Sequence, residues 1–165
     1  NSWVTSQENG KTLIRANFLN ANPNTGLAEI NVRATAIFPE ISGLKYIVID
    51  GFDIRHTASQ WSDIYKLEEG AIGMKYGYGW VIQNCIITNS RNNGISMGVS
   101  DEVFFSRTLT KGGDNIPPYG SFGFHIIRNN IIKRCGQCAI YGCYGAVGSV
   151  IENNEISAIV PGPCI

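Results

Sequence analysis

Four side chains of this sequence are the best candidates for contact with a substrate. His56 and His125 are its only histidines, and imidazole exchanges protons or binds hydroxyl groups near neutral pH. Trp61 could offer a ligand the apolar face of its indole and a hydrogen bond from its N–H. Asp101 could accept a hydrogen bond from a ligand hydroxyl. His56 would line a pocket at the foot of the loop that carries Trp61. The other three have structural alternatives, namely loop packing for Trp61, hydrogen bonding in the fold for His125 and plain solvation for Asp101.

The cysteines offer a weaker signal. Cys135-Gly-Gln-Cys138 has the spacing found in zinc and redox sites. Structural zinc normally takes four ligands, usually from two such pairs, and the sequence contains no second pair. Buried cysteine otherwise behaves as a small apolar residue. We therefore predict no metal site and no cofactor, and expect the cysteines to fill the core, with a disulfide left open as an alternative.

The overall charge excludes some classes of partner. Thirteen Lys+Arg balance thirteen Asp+Glu among 165 residues. Since no basic excess is available to neutralise phosphates, nucleic acid is not expected as a partner. No apolar run reaches the roughly 18–20 residues of a membrane-spanning helix, so no membrane partner is expected. The compartment is left open.

The amino-acid composition predicts an all-β protein. The chain contains 23 Ile but only 6 Leu, together with 16 Asn and 19 Gly. Ile is stiff at χ1 and fits a pleated sheet, whereas Leu is the better helix former. Asn and Gly supply the positive φ angles of tight corners. This combination is typical of many short strands joined by tight turns.

An internal repeat suggests the architecture. The pattern I-x-N-N-x-I, with variations, occurs at residues 49–54, 82–87, 127–132 and 151–156. A second short element containing Gly or Ala and Ile occurs at residues 70–73, 94–98 and 139–142. The basic period of about 23–24 residues lies in the solenoid range. Because the repeat has no helical pattern, we predict a parallel β-helix of about 3–4 turns over residues 41–165.

Two insertions interrupt this repeat. About ten extra residues lie near residues 59–68, and about 22 lie near residues 99–124. Insertions on a solenoid tend to gather on one face and to line the binding surface. Trp61 lies in the first insertion and Asp101 in the second. The loops are therefore the expected position of a binding site.

The repeat also predicts which residues stack from turn to turn. Four isoleucines, Ile49, Ile82, Ile127 and Ile151, should form one interior column, and Ile54, Ile87, Ile132 and Ile156 another. Asn84, Asn129 and Asn153 should stack at a corner, with their amides in a ladder. In the outward columns no two carboxylates fall in neighbouring turns, and Arg128 should pair with Glu152. The regular coil therefore contains no catalytic carboxylate pair.

The first 40 residues do not follow the period. Ser2–Phe18 should form a hairpin around Glu8-Asn9-Gly10, because Asn-Gly is a strong two-residue turn signal. Glu29–Phe38 should form a further strand. Residues 1–40 are therefore predicted to belong to a separate β unit. No capping element is visible after Ile159, and we expect the sequence to be a fragment of a longer chain.

Several of these segments, in this order, resemble a known family. They include Phe38-Pro-Glu40, residues 43–52, Gln60-Trp61, Gly79-Trp-Val-Ile82 and residues 125–130. Together they are similar to glycoside hydrolase family 120, the β-xylosidase family. The resemblance implies a right-handed parallel β-helix with an inserted β-sandwich, whose last strands are residues 1–40. It also implies that the ring of Trp61 faces a sugar subsite.

The resemblance implies a mechanism as well. The family retains anomeric configuration, with an Asp nucleophile and a Glu acid/base on adjacent coils, both farther along than the last turn present here. The expected function is therefore part of a β-xylosidase-like hydrolase acting on xylo-oligosaccharides, with unassigned catalytic residues. The alternatives are a polysaccharide lyase and a non-catalytic carbohydrate-binding or structural β-helix module. Open coil ends also predict self-association.

Overall fold

A computed structural model describes residues 3–59, 69–97, 120–142 and 145–159. The chain begins with an antiparallel hairpin of strands β1 (Trp3–Glu8) and β2 (Lys11–Ala16), followed by a 3₁₀ turn at Pro23–Thr25. Asn9 and Gly10 both have positive φ, 50° and 74°, as a two-residue hairpin turn requires. The predicted hairpin is therefore confirmed.

The other strands form three parallel sheets. Within each sheet the strands come from successive coils and stack along the coil axis. The first sheet contains β3 (Val48–Asp50), β6 (Val81–Gln83), β9 (Ile126–Arg128) and β12 (Val150–Glu152). The second contains β4 (Asp53–Arg55), β7 (Ile86–Thr88), β10 (Ile131–Lys133) and β13 (Glu155–Ser157). The third contains β5 (Gly70–Gly73), β8 (Asn93–Ser96) and β11 (Ile140–Tyr141). The chain passes through the sheets in turn, which makes a parallel β-helix.

The strand register places the repeated isoleucines in columns. Ile49 pairs with Ile82, and Ile127 pairs with both Ile82 and Ile151. The second sheet aligns its isoleucines in the same way, and the third aligns Ile72, Ile95 and Ile140. In the middle coils these side chains are 0% exposed, so they form the core. The predicted columns are confirmed in register, and they are buried as far as Ile127 and Ile132, whereas Ile151 and Ile156 in the last described coil are 47% and 42% exposed.

The corner between the first and second sheets explains the asparagines of the repeat. Asn84, Asn129 and Asn153 have φ of 52–55°, where Asn is tolerated better than most residues. The predicted amide ladder, however, lies one position later. Asn130 Nδ2 donates to Asn154 Oδ1 at 2.9 Å and to Ile82 O at 3.0 Å, inside the coil. The positive φ turns the first asparagine of each pair, such as Asn129, out of the core. The second, Asn130, points inward and forms hydrogen bonds with the backbone of the preceding coil.

One predicted ion pair is not formed. Arg128 Nε donates to Gln83 Oε1 on the preceding coil at 2.9 Å, whereas the prediction paired it with Glu152. Gln83 Nε2 in turn donates to Asp50 Oδ2 at 2.7 Å. These side chains form a hydrogen-bonded polar column on the outer face of the first sheet. The Gln83 side chain directs its NH₂ group to the Asp50 carboxylate, which leaves its Oε1 to accept a hydrogen bond from Arg128. Arg128 therefore binds Gln83 instead of Glu152.

The predicted strand at Glu29–Phe38 is wrong. Within this segment the structure has one isolated bridge, from Ile37 to Ile72, and the rest is irregular. Ile30 and Val32 are 63% and 82% exposed, so the apolar alternation has no surface to cover. Pro39 cannot donate a ladder hydrogen bond. A β-sandwich origin for residues 1–40 stays a prediction; by contacts, the chain divides into units Asn1–Ile30 and Asn31–Ile165.

Candidate carbohydrate-binding site

Both insertions join the coil at the third sheet. The first leaves after Ser59 and returns at Glu69, immediately before β5, and the second leaves after Met97, immediately after β8. β5 and β8 are neighbouring strands. Trp61 and Asp101 themselves lie outside the described residues. In the described chain the first insertion therefore ends just before β5 begins, and the second begins just after β8 ends.

Polar side chains are buried where the first insertion begins. Thr57 Oγ1 donates to Ser90 Oγ at 2.9 Å, and Ser90 Oγ donates to Asn93 O at 2.7 Å. Ser59 is 0% exposed, and its Oγ has no hydrogen-bond partner among the described residues. A buried hydroxyl without a partner carries a free-energy cost. The sequence pattern gives no signal for these buried hydroxyl groups of Thr57, Ser59 and Ser90, because serine and threonine also occur in ordinary turns.

His56 lies three residues before the start of this insertion. It is half-buried and has φ of 59°, and its backbone N–H donates to Thr88 O on the next coil at 3.2 Å. Asn89 and Arg134 occupy the same corner on the following coils, and Arg134 Nε donates to Asn89 Oδ1. This corner therefore presents a polar column three residues before Ser59, the last described residue before the first insertion.

His125 is a residue of the coil interior. It is 1% exposed, and its Nδ1 accepts a hydrogen bond from the Trp80 backbone N–H at 3.2 Å. Its own backbone N–H donates to Ser149 Oγ at 3.0 Å. Burial lowers the pKa of His125 to about 4, so the ring is neutral at pH 7. These contacts serve the coil; a contact with sugar stays a prediction.

The structure does not bring the two histidines together. His56 follows the second sheet in the first coil, whereas His125 precedes the first sheet in the third coil. Sequence reasoning also missed that Trp80, His125 and Ser149 share one position of the coil. The insertion between the second and third coils obscures that alignment in the sequence.

The carboxylates of the described strands do not form a catalytic pair. Asp50 stacks on Gln83 and Asp53 stacks on Ile86, while Glu152 and Glu155 stack on Arg128 and Ile131. Hydrogen bonds from Gln83 and then Asn84 lower the pKa of Asp50 below its usual value. A hydrogen bond from Arg55 likewise lowers the pKa of Asp53. A general acid needs a raised pKa, so neither aspartate suits that role.

Three cysteines lie in the core. Cys85, Cys135 and Cys138 are buried free thiols, while Cys143 and Cys164 lie outside the described residues. Burial raises the pKa of the Cys135 thiol to about 11, which disfavours the reactive thiolate. The expectation that cysteine fills the core is confirmed for these three. Across the described parts of the chain, no three His, Cys, Asp or Glu residues group as metal ligands.

Comparison with known proteins identifies the class. The family described as "Right handed beta helix region" matches residues 69–161, more than half of the chain, so the chain belongs to this family of right-handed parallel β-helix proteins. No curated protein matches significantly. Among the helices of the described residues, none has the length and apolar character needed to cross a membrane.

A solved structure gives a more specific similarity. The chain is similar to XylC, solved in complex with xylose, at 34% identity and a TM-score of 0.82. The match covers 95% of this chain and 27% of XylC, so the chain spans about a quarter of that protein's length. The resemblance to a right-handed β-helix, xylosidase-like protein is confirmed.

Proposed function

We propose that the chain forms part of a retaining β-xylosidase-like glycoside hydrolase that acts on xylo-oligosaccharides. The observation that carries this proposal is the similarity to XylC in complex with xylose, at 34% identity over 95% of the chain. Oligosaccharides are the proposed partners.

The spacing of the coil is compatible with this chemistry. Retaining hydrolysis needs two carboxyl groups about 5–5.5 Å apart, one as nucleophile and one as acid/base. Neighbouring strands lie ~4.8 Å apart, so two carboxylates at one position of adjacent coils come close to that separation. Since no such pair occurs in the described strands, the nucleophile and the acid/base come from outside them.

The substrate-binding residues of this chain are proposed on the loops of the third sheet. Trp61 stacks on a pyranose ring, and Asp101 accepts a hydrogen bond from a sugar hydroxyl. His56 lines the same pocket from the corner three residues before the first insertion. His125 lies at a different corner of the coil, where its buried Nδ1 accepts a hydrogen bond from the Trp80 backbone N–H. Its contact with sugar is therefore a separate proposal from this pocket.

Xylose binding by the 165-residue chain tests the proposal. We expect perturbed xylose signals in saturation-transfer NMR, and a Kd at least tenfold weaker for Trp61→Ala because the stacking face is lost. A tenfold change corresponds to about 1.4 kcal/mol. Trp3→Ala is the matched control, since Trp3 is 72% exposed on the hairpin.

Two results would contradict this proposal. One is the absence of any xylose signal with the folded wild-type chain. The other is equal weakening by Trp61→Ala and Trp3→Ala, which would mean that xylose does not distinguish the loop tryptophan from an exposed one. Xylose binding combined with no aryl β-xyloside hydrolysis by the longest natural protein carrying this chain would favour a non-catalytic binding module.

A further inference from the structure

Three aromatic side chains from successive coils lie in a row at the corner that precedes the first sheet. The ring centroids of Tyr46 and Tyr78 are 5.6 Å apart, and those of Tyr78 and Phe124 are 5.4 Å apart. Lys45 Nζ lies 5.7 Å from the centroid of Tyr78. We call Tyr46, Tyr78 and Phe124 the aromatic strip. It runs along the coil axis at one ring per coil.

The strip remains accessible to solvent. Tyr46 is 72% exposed and Phe124 is 39% exposed, while Tyr78 between them is half-buried. Each outer ring covers a glycine of the following coil, because a Cβ on Gly79 would lie 3.1 Å from the Tyr46 ring and one on Gly148 would lie 2.6 Å from the Phe124 ring. The glycines therefore leave room for the rings on one side.

The backbone at this corner favours glycine. Gly79 and Gly148 have φ of 63° and 64°, and Tyr46 and Phe124 take the same position with φ of 58° and 54°. The left-handed region costs a non-glycine residue roughly 1–2 kcal/mol, and a bulky residue there is an outlier. Positive φ also occurs at non-glycine residues of other corners, such as Arg134. What distinguishes Tyr46 and Phe124 is that bulky, exposed rings occur where the alternate coils have glycine.

A row of exposed aromatic rings suits a carbohydrate chain. Aromatic faces pack against the C–H surface of a pyranose, and a tyrosine hydroxyl can bind a sugar hydroxyl. The ring spacing of 5.4–5.6 Å is close to the length of one pyranose unit in a β-linked chain. The planes are inclined at 84° and 40°, so the strip is a stepped surface whose two outer rings are the most accessible.

Other classes of ligand fit less well. Aromatic side chains bury roughly 150–250 Å² each, so three partly covered rings offer a few hundred Å². A stable protein interface takes about 800 Å² per partner. A nucleic acid could stack on the rings, but the chain has no net positive charge to bind phosphates. The small area and the neutral charge favour a neutral ligand of a few sugar units.

We propose that the aromatic strip is a second carbohydrate-binding site, which binds a neutral β-linked xylan chain along the coil axis. It lies at a different corner of the coil from the one that carries His56. The choice of xylan rests on the proposed function, whereas the site itself rests on the rings, their spacing and their exposure. Its effect is to hold polymer on the protein surface.

Affinity electrophoresis in gels containing soluble xylan tests this proposal with the full chain. Tyr46→Gly and Phe124→Gly remove the rings while matching the glycines of the alternate coils. We expect each variant to weaken the apparent xylan affinity at least threefold, with xylose binding unchanged. Phe52→Ala is the matched control, because Phe52 is 55% exposed on the first coil but outside the strip. Trp61→Ala should lose xylose binding yet retain most of the xylan retardation.

Two outcomes would overturn the proposal. One is a wild-type chain that is not retarded by xylan, and the other is retention of full retardation by both folded glycine variants. If circular dichroism shows that a glycine variant is unfolded, Tyr46→Phe and Tyr46→Leu replace it. The ring of Phe should keep the affinity and Leu should reduce it, and equal affinities would refute the proposal.

Discussion

At the scale of single residues, the coil depends on polar side chains that satisfy the backbone of the neighbouring turn. His125 accepts from the Trp80 N–H, and Asn130 bonds the Ile82 carbonyl and the Cys85 N–H. A buried backbone group left without a partner costs about 1–3 kcal/mol. These residues therefore contribute to stability through hydrogen bonds that the repeat of isoleucines does not provide.

The pKa of His125 makes stability depend on pH. Well above pH 6.5, the usual pKa of histidine in an unfolded chain, the ring is neutral in both states, and its contribution to the free energy of unfolding is complete. As the pH falls from 6.5 to the folded-state pKa of about 4, only the unfolded chain takes up the proton, so stability decreases. This pKa difference corresponds to a loss of about 3 kcal/mol.

His125→Asn is the comparison, because an amide oxygen can accept the same hydrogen bond but does not titrate. Urea unfolding between pH 7 and pH 4 should show a steeper loss of stability for the wild type than for His125→Asn. The difference between the two chains cancels the titration of Asp50 and Asp53. Parallel pH profiles would show that His125 is not protonated on unfolding.

At the scale of the elements, the stacking distance between coils leaves little space at some corners. A Cβ on Gly136 would lie 2.0 Å from the backbone oxygen of Arg91 on the preceding coil. Gly136 N–H also donates to Ser90 O at 3.0 Å, which holds the two coils together there. The corner that leads to the third sheet is therefore closed to any side chain at this position.

Gly136→Ala should destabilise the coil by about 2–3 kcal/mol, since the clash is with backbone that can move only by separating two coils. Gly51→Asn is the control. A Cβ on Gly51 meets no atom within 4 Å, and Asn occupies the same corner on the later coils. Urea denaturation at 25 °C measures both variants. Equal stabilities would mean that the coils separate at this corner without cost.

The spacing of isoleucine and asparagine was enough to predict the coil and the register, and the Asn9-Gly10 pair was enough to predict the hairpin. It did not predict which asparagine of the I-x-N-N-x-I pattern faces inward, because that depends on the positive φ of the residue before it. The prediction of a strand at Glu29–Phe38 was wrong because the alternating apolar side chains of this segment, such as Ile30 and Val32, are exposed instead of packed. The site was only partly predictable, because the partner of His125 lies 45 residues earlier in the chain, across an insertion.

At the scale of the whole molecule, one end of the described coil leaves interior columns uncovered. Ile151 and Ile156 continue the columns of Ile127 and Ile132, but they are 47% and 42% exposed, whereas the latter two are 0% exposed. The strands that carry them, β12 and β13, each have one unpaired edge among the described strands. Only 16% of residues are charged, and the formal net charge is zero, so charge repulsion is weak.

We therefore predict that the 165-residue chain self-associates through this end. Sedimentation velocity should show oligomers that increase with concentration, and Ile156→Lys should shift the distribution towards monomer. Ile86→Lys is the control, since Ile86 is 37% exposed in an outward column of the same sheet. A monomer at the highest concentration reached would contradict the prediction, as would an equal shift by both lysine variants.

The register also bears on how such a molecule can evolve. Ile127 and Ile151 occupy the same column 24 residues apart, and the corner, polar and apolar positions between them repeat with the same interval. A tandem duplication of 24 codons would therefore add one complete coil and leave every column in phase. A duplication that is not a whole number of coils would shift apolar side chains to the surface unless a loop absorbed the difference. Growth by whole coils, with variation confined to the loops, is the evolutionary route that this architecture leaves open.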